Sequence, residues 1–269
     1  MSRIEERFRE LKERGEKGLV LYLTAGDPDL ETSLELLLCA ASSGADVIEL
    51  GIPFSDPMAD GPVIQRAFMR SLGSGFRTKD AFRLVREFRK YFSTPLVLFG
   101  YVNPIIAYGP TRFFRDAVRA GVDGILAVDL PLEEWEPFRE EAVKSGLDWI
   151  GLVAPTSGIE RIRLIGKKSS GFIYVISVTG ITGMREKLPA EYVKIVKSLR
   201  KETSLPVVVG FGISTPEMAQ EVASVCDGVV VGSAAVRLVE EHGKNKEKLL
   251  RNFSSFVEKM KLGMQNGVV

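Results

Sequence analysis

Histidine and cysteine are nearly missing from this chain, which has one His and two Cys in 269 residues. A Ser–His or Cys–His nucleophile needs an imidazole beside it. The single candidate, His242, lies in the polar stretch "EEHGKNKEK", where solvation is expected. No set of thiols and imidazoles has zinc-site spacing, so no metal site is expected. Cys39 falls in a helical pattern and Cys226 at the start of a strand, and both read as small buried hydrophobes. Charge bias is also lacking: 36 basic against 35 acidic residues leave a net charge of +1, which excludes a broad electrostatic footprint for nucleic acid or membrane. No run approaches the ~18 apolar residues of a transmembrane helix. The opening "MSRIEERFRELKERGEKG" is too charged for a signal peptide. A cytoplasmic protein is expected.

The composition, 45% hydrophobic and 26% charged, suits a soluble globular chain. Its length could hold two domains, but it also matches one α/β barrel of ~250 residues. Eight apolar runs of strand length alternate with amphipathic segments: "LVLYLTA", "ADVIELG", "PLVLFGY", "GILAVDL", "DWIGLVA", "GFIYVIS", "PVVVGFG" and "DGVVVGS". Consecutive Val, Ile and Leu indicate parallel strands covered on both faces. A weak repeat supports the register. "SGADVIEL", "AGVDGILAV" and "SGLDWIGLV" each end a helix on Gly and enter a strand at or after Asp. Eight βα units favour a single (β/α)8 TIM barrel over residues 1–269, with inserted helices, rather than a doubly wound sheet. Residues 1–17 form an extra N-terminal helix that docks through Ile4, Phe8 and Leu11, and residues 262–269 read as a frayed tail.

In such a barrel the functional groups gather at the C-terminal ends of the strands. There the second run ends on a carboxylate, Glu49, followed by the stiff acidic loop "GIPFSDPMADGP". Two-residue alternation puts Tyr22, Phe99, Tyr101, Tyr174 and Phe211 around the same end, either as core packing or as a pocket for a flat apolar ligand; five rings near one rim favour the pocket. The later loops, "VTGITG", "GFGIST" and "VGSAAV", are glycine-rich turns ahead of helices, which expose backbone N–H groups suited to phosphate. No strand run contains Lys, which disfavours a Schiff-base aldolase, and no His cluster supports a metal-assisted one. Carbon–carbon or proton-transfer chemistry would fall to carboxylates, with Glu49 and Asp60 the candidates. Read alone, Glu49 could be a buried strand-end carboxylate with a partner, and Asp60 a cap of the helix that starts near Pro62.

"ELGIPFSDPMADGPVIQ" resembles the signature segment of the tryptophan synthase α-subunit family. The likeness extends in order through "LYLTAGDPD", "YVNPI", "VDLPLEE", "VTGITG", "GFGIS" and "VGSAAV", from about Leu19 to about Glu240. The resemblance implies retro-aldol cleavage of indole-3-glycerol phosphate to indole and glyceraldehyde 3-phosphate. It implies Glu49 as the principal acid/base and Asp60 as the partner of the indole N–H. Phosphate would meet Gly183, Gly212, Gly232 and Ser233, and the indole would lie among the five rings. Thr182 matches a lid residue that engages the aspartate at position 60. Two departures stand out: Tyr22 where Phe is common, and Val178 in place of a polar residue found in some members. The resemblance further implies an α2β2 complex with a pyridoxal-phosphate β subunit, the cofactor belonging to the partner and none to this chain. Pro53, Asp56, Pro57, Asn103 and Asp129 match the β-facing surface; their alternatives are loop stiffening and turn or cap chemistry. A stand-alone lyase releasing free indole, or a catalytically weak activator of a β subunit, are the other readings.

Overall fold

The computed structural model describes residues 1–176, 191–210 and 212–265. Its strands are β1 (Gly18–Thr24), β2 (Val47–Gly51), β3 (Leu96–Gly100), β4 (Gly124–Ala127), β5 (Asp148–Trp149), β6 (Gly151–Val153), β7 (Ile173–Ile176), β8 (Val207–Gly210) and β9 (Gly228–Val231). All pair in parallel, in the order β5-β4-β3-β2-β1-β9-β8-β7-β6. The two outermost strands of that order are the halves of one expected run, "DWIGLVA", interrupted at Ile150. The Ile150 N–H donates to Ile125 at 2.9 Å and the Trp149 carbonyl accepts from Ser170 at 2.9 Å. The ladder is thereby carried around the break, and the expected eight-stranded barrel closes through the chain itself.

Alternation along the strands separates two apolar layers. Val20, Val47, Val97, Phe99, Leu126, Phe172, Val208 and Val230 point into the barrel. Leu21, Ile48, Leu50, Leu98, Val175, Val209 and Val229 point out against the surrounding helices. The N-terminal helix, Arg3–Glu13, opens on a capping box of Ser2 and Glu5 and buries Ile4, Phe8 and Leu11 as expected, joining the inner layer. Phe8 meets Phe172 at 5.9 Å between centroids, so this helix closes the N-terminal end of the barrel.

Two of the three repeated aspartates, Asp46 and Asp123, have a structural role on this same face, which Asp227 shares. They accept an N–H at the start of a neighbouring strand, from Leu19 at 2.6 Å, Leu96 at 2.8 Å and Val207 at 2.9 Å respectively. Cations partner each of them: Arg7 and Lys261 for Asp46, Arg3 and Arg89 for Asp123, Arg200 for Asp227. At the other terminus the last helix runs from Lys246 to Gln265 with Met264 buried. Leu262 to Gln265 are thus helical rather than frayed, because Met264 continues the apolar stripe of Leu249, Phe253, Val257 and Met260.

Candidate active site

Tyr22 and Glu49 are direct partners in the β1–β2 register, so both side chains rise inside the barrel toward its C-terminal rim. Around them lies a cavity of about 50 Å³ lined by Tyr22, Glu49, Asp60, Ile64, Phe99, Tyr174, Gly212, Val230, Gly232 and Ser233. That is the room of a few waters at ~10–15 Å³ each, so a ligand as large as an indole must part these walls.

Glu49 is 1% exposed, and among the described residues its Oε1 has no hydrogen-bond partner. A carboxylate without water or a donor is disfavoured, and burial pushes its carboxyl up from the ordinary 4.5 to about 8. Asp60 reaches the same cavity from the loop after β2. The helix Pro62–Gly73 takes Gly61 as its N-cap, with no side-chain cap. The Asp60 side chain is therefore not spent on capping; it accepts a hydrogen bond from the Tyr101 hydroxyl at 2.6 Å. Burial raises its carboxyl to about 6, and the Tyr101 hydrogen bond acts in the opposite direction. Tyr101 accepts in turn from the Ala59 N–H at 3.0 Å. Two carboxyls with separated proton affinities thus face one apolar space.

Tyr22 and Phe99 meet edge to face at 5.4 Å. The Tyr22 hydroxyl is buried and stands directly over Gly51, where any Cβ would collide with it. Tyr174 sits over Gly210 in the same way. This is how the barrel accommodates the extra hydroxyl of Tyr22. Tyr101, expected among the cavity rings, belongs to the inner apolar layer, with Phe54 against it at 5.2 Å. It follows β3 directly as the N-cap of the helix Val102–Tyr108 and meets the cavity through Asp60.

Opposite the carboxyls, Gly212 holds a φ of +76°, and Gly232 is the N-cap of the helix Ser233–His242, with no side-chain cap. This helix start offers backbone donors and a partial positive charge to an anion. Thr182, Gly183, Phe211 and Val178 lie outside the described residues. Ile64 and Val230 were not anticipated. Val230 could have been read from the alternation of Gly228, Val230 and Gly232, and Ile64 from its place on the first turn after Asp60. Among the expected interface residues, Asp56, Asn103 and Asp129 are exposed, Pro57 is half-buried and Pro53 is buried beneath them; Asp129 Oδ1 accepts from the Val102 N–H at 2.8 Å. Among the described residues no group of three His, Cys, Asp or Glu could hold a metal ion, and no helix is long and apolar enough to cross a membrane.

A family model described as tryptophan synthase alpha chain matches residues 8–265. The tryptophan synthase alpha chain of Carboxydothermus hydrogenoformans is 47% identical over 264 residues, covering 97% of this chain and 99% of that one. That of Geotalea uraniireducens is 50% identical over 265 residues, 98% of each. Among solved structures, tryptophan synthase subunit alpha from Legionella pneumophila superposes with a TM-score of 0.91 at 40% identity, covering 99% of both chains. A tryptophan synthase structure from Mycobacterium tuberculosis contains a chain that matches with a TM-score of 0.90 at 32% identity, over 98% of each.

Proposed function

This chain belongs to the tryptophan synthase alpha chain family and is a carbon–carbon lyase of indole-3-glycerol phosphate, and we propose that Glu49 and Asp60 divide the proton chemistry of that cleavage between them. The observation that carries this reading is the pair of buried carboxyls with separated proton affinities on one ring-lined cavity. Near neutral pH Glu49 holds its proton and Asp60 does not, so an acid and an anion stand ready at once.

Glu49 gives its proton to the indole carbon that bears the glycerol chain. Positive charge then develops on the ring nitrogen, and the Asp60 carboxylate, oriented by Tyr101, stabilises it in a space that excludes water. The Glu49 carboxylate next takes the proton of the adjacent side-chain hydroxyl. The carbon–carbon bond breaks, its electron pair returns to the ring, and indole and glyceraldehyde 3-phosphate result with Glu49 protonated again. Acid–base help of this kind contributes ~10²–10⁴-fold. Tyr22, Phe99 and Tyr174 flank the ring, while Gly212, Gly232 and Ser233 hold the phosphate, with Gly183 as a further contact, Phe211 a further ring and Thr182 the lid.

The same reading pairs the chain with a β subunit in an α2β2 complex in the cytoplasm. That partner carries pyridoxal phosphate and receives the indole, and the surface bearing Asp56, Pro57, Asn103 and Asp129 faces it. Glu49→Gln tests the chemistry: the variant should bind glycerol 3-phosphate as the parent does and release no indole, and near-parental cleavage would remove Glu49 from the role. Indole release measured with and without a β subunit tests the partnership, since stimulation is expected and an unchanged rate would indicate a stand-alone lyase.

A further inference from the structure

Away from the cavity, four charged side chains tie together the three elements that build its walls. Asp27, just past β1, is 2% exposed and accepts from Arg70 Nε and Nη2 at 2.8 Å each. Arg70 Nη1 lies 3.4 Å from Glu240, and Glu240 is also gripped by both ends of the Arg66 fork, at 2.5 and 2.9 Å. Ser71 adds a bond to the Ala25 carbonyl at 2.6 Å. Arg66 and Arg70 belong to the helix Pro62–Gly73, which starts directly after Asp60 and supplies Ile64. Glu240 belongs to the helix Ser233–His242, whose first turn carries the proposed phosphate contact. Glu240 stands about 10 Å along its helix from Ser233, and Arg66 about 6 Å from Pro62. The bridge therefore joins the two helices a short way behind the two ends of the substrate slot.

Stability gives this arrangement little reason to exist. The two ion pairs of Glu240 are partly exposed and such pairs add little, and Glu240 lies in the last turn of its helix, where the helix dipole disfavours a carboxylate. What a carboxylate held at both oxygens by the Arg66 fork, and touched by an Arg70 that is itself anchored on buried Asp27, does supply is a fixed span and orientation. We propose that Glu240 is a positioning residue that sets the separation between the ring end of the site, on the Asp60 side, and the phosphate end at Gly232 and Ser233. The inference rests on the assignment of those two ends given above. A ligand spanning both ends gains from their joint occupancy only when the spacing matches.

Three probes separate the possibilities: indole, glycerol 3-phosphate, and indolepropanol phosphate, which joins both ends without the cleavable bond. In Glu240→Ala, indole and glycerol 3-phosphate should bind within about twofold of the parent, whereas the joined analogue should weaken about tenfold and turnover should fall with it. Glu240→Asp keeps the charge but shortens the reach, and should not restore the joined analogue. The pair is at the surface, so the fold is retained, and an unchanged melting temperature checks this. Unaltered binding of the joined analogue would overturn the proposal. Equal weakening of glycerol 3-phosphate alone would overturn it too, since Glu240 would then only support the phosphate helix. Full restoration by Asp would overturn it by making charge, not span, the operative feature. Failure of the parent to bind either fragment would instead refute the site assignment, and the inference would fall with it.

Discussion

Replacing Glu49 by Gln should stabilise the protein, and the gain should depend on pH in a particular way. The folded chain holds the Glu49 proton with an affinity near pH 8, against an ordinary 4.5. Between those values the folded state binds more protons at this position than the unfolded state, so stability falls as pH rises through the window. Below about pH 4 both states are protonated and the Glu49 term vanishes; at pH 7 it amounts to about 3 kcal/mol, and above pH 8 it levels off at on the order of 5 kcal/mol, at about 1.4 kcal/mol per pH unit. Gln has nearly the same shape and carries no charge, so the variant lacks the whole term. The Oε1 atom supports the sign, because no donor among the described residues compensates a charge there. Urea unfolding of the parent and the Glu49→Gln variant at several pH values between 4 and 9 provides the assay, with equal m-values as the check that both unfold from comparable states. All other titrating groups are shared and largely cancel in the difference. The reasoning is refuted if the two stabilities run parallel across that range, or if the variant's advantage grows toward acid.

The same two carboxyls set an expected rate profile: kcat/KM for indole-3-glycerol phosphate should rise through about pH 6 as Asp60 ionises and fall above about pH 8 as Glu49 loses its proton. A flat profile from pH 5 to 9 would contradict the division of roles. Tyr101→Phe removes a hydrogen bond that favours the Asp60 anion, so the acidic limb should move up by roughly one pH unit, and kcat/KM should drop about twofold at pH 7 and about fivefold at pH 6. An unmoved limb would show that Tyr101 does not tune Asp60. On the opposite face, Asp46 has no exposed side-chain surface and keeps both Arg7 and Lys261. Arg7→Ala should therefore cost about 1 kcal/mol, while Arg7→Ala with Lys261→Ala should cost about 3–5 kcal/mol because a buried charge loses its last cation. Simple additivity in urea unfolding would argue against that shared role.

Much of this architecture was legible because the chain's periodicities are simple. Strands covered on both faces must be apolar at successive positions, so eight Val-, Ile- and Leu-rich runs announce themselves. Glu49 stands out against such a run, and the glycines of "GFG" and "VGS" mark the side proposed to hold the phosphate. Legibility ended where a local backbone event replaced a periodicity. The break at Ile150 splits one run into two strands without altering its composition. Tyr101 keeps the inward side of β3 although the strand has ended one residue earlier, but its hydrogen bond to Asp60 could not be read from the alternation. The ion pairs around Glu240 and Asp46 link residues far apart in sequence, and only folded coordinates bring them together. The Asp repeat was visible as a pattern, yet the capping of a neighbouring strand by its Asp46 and Asp123 depends on which strands are adjacent.

The two strand-end glycines under the tyrosines connect packing to chemistry most directly. A Cβ at Gly51 would collide with the Tyr22 hydroxyl and stand 2.5 Å from Cζ and 2.8 Å from Cε2 of the same ring. The ring is buried, with Phe99 on one side, so its way out is toward the cavity proposed to receive the substrate ring. Gly51→Ala should consequently reduce indole release by more than tenfold while costing about 1–3 kcal/mol of stability, the range of an overpacked core. Adding Tyr22→Phe should not restore activity, because Cζ remains in the path once the hydroxyl is gone. Tyr22→Leu with Gly51→Ala should recover stability by vacating the ring tip, without recovering catalysis, since an edge-to-face wall of the slot is lost with the ring. A Gly51→Ala protein as stable and as active as the parent would show that Tyr22 has room to move elsewhere. In that case the absence of a side chain at Gly51 would not be what lets a tyrosine stand beside Glu49.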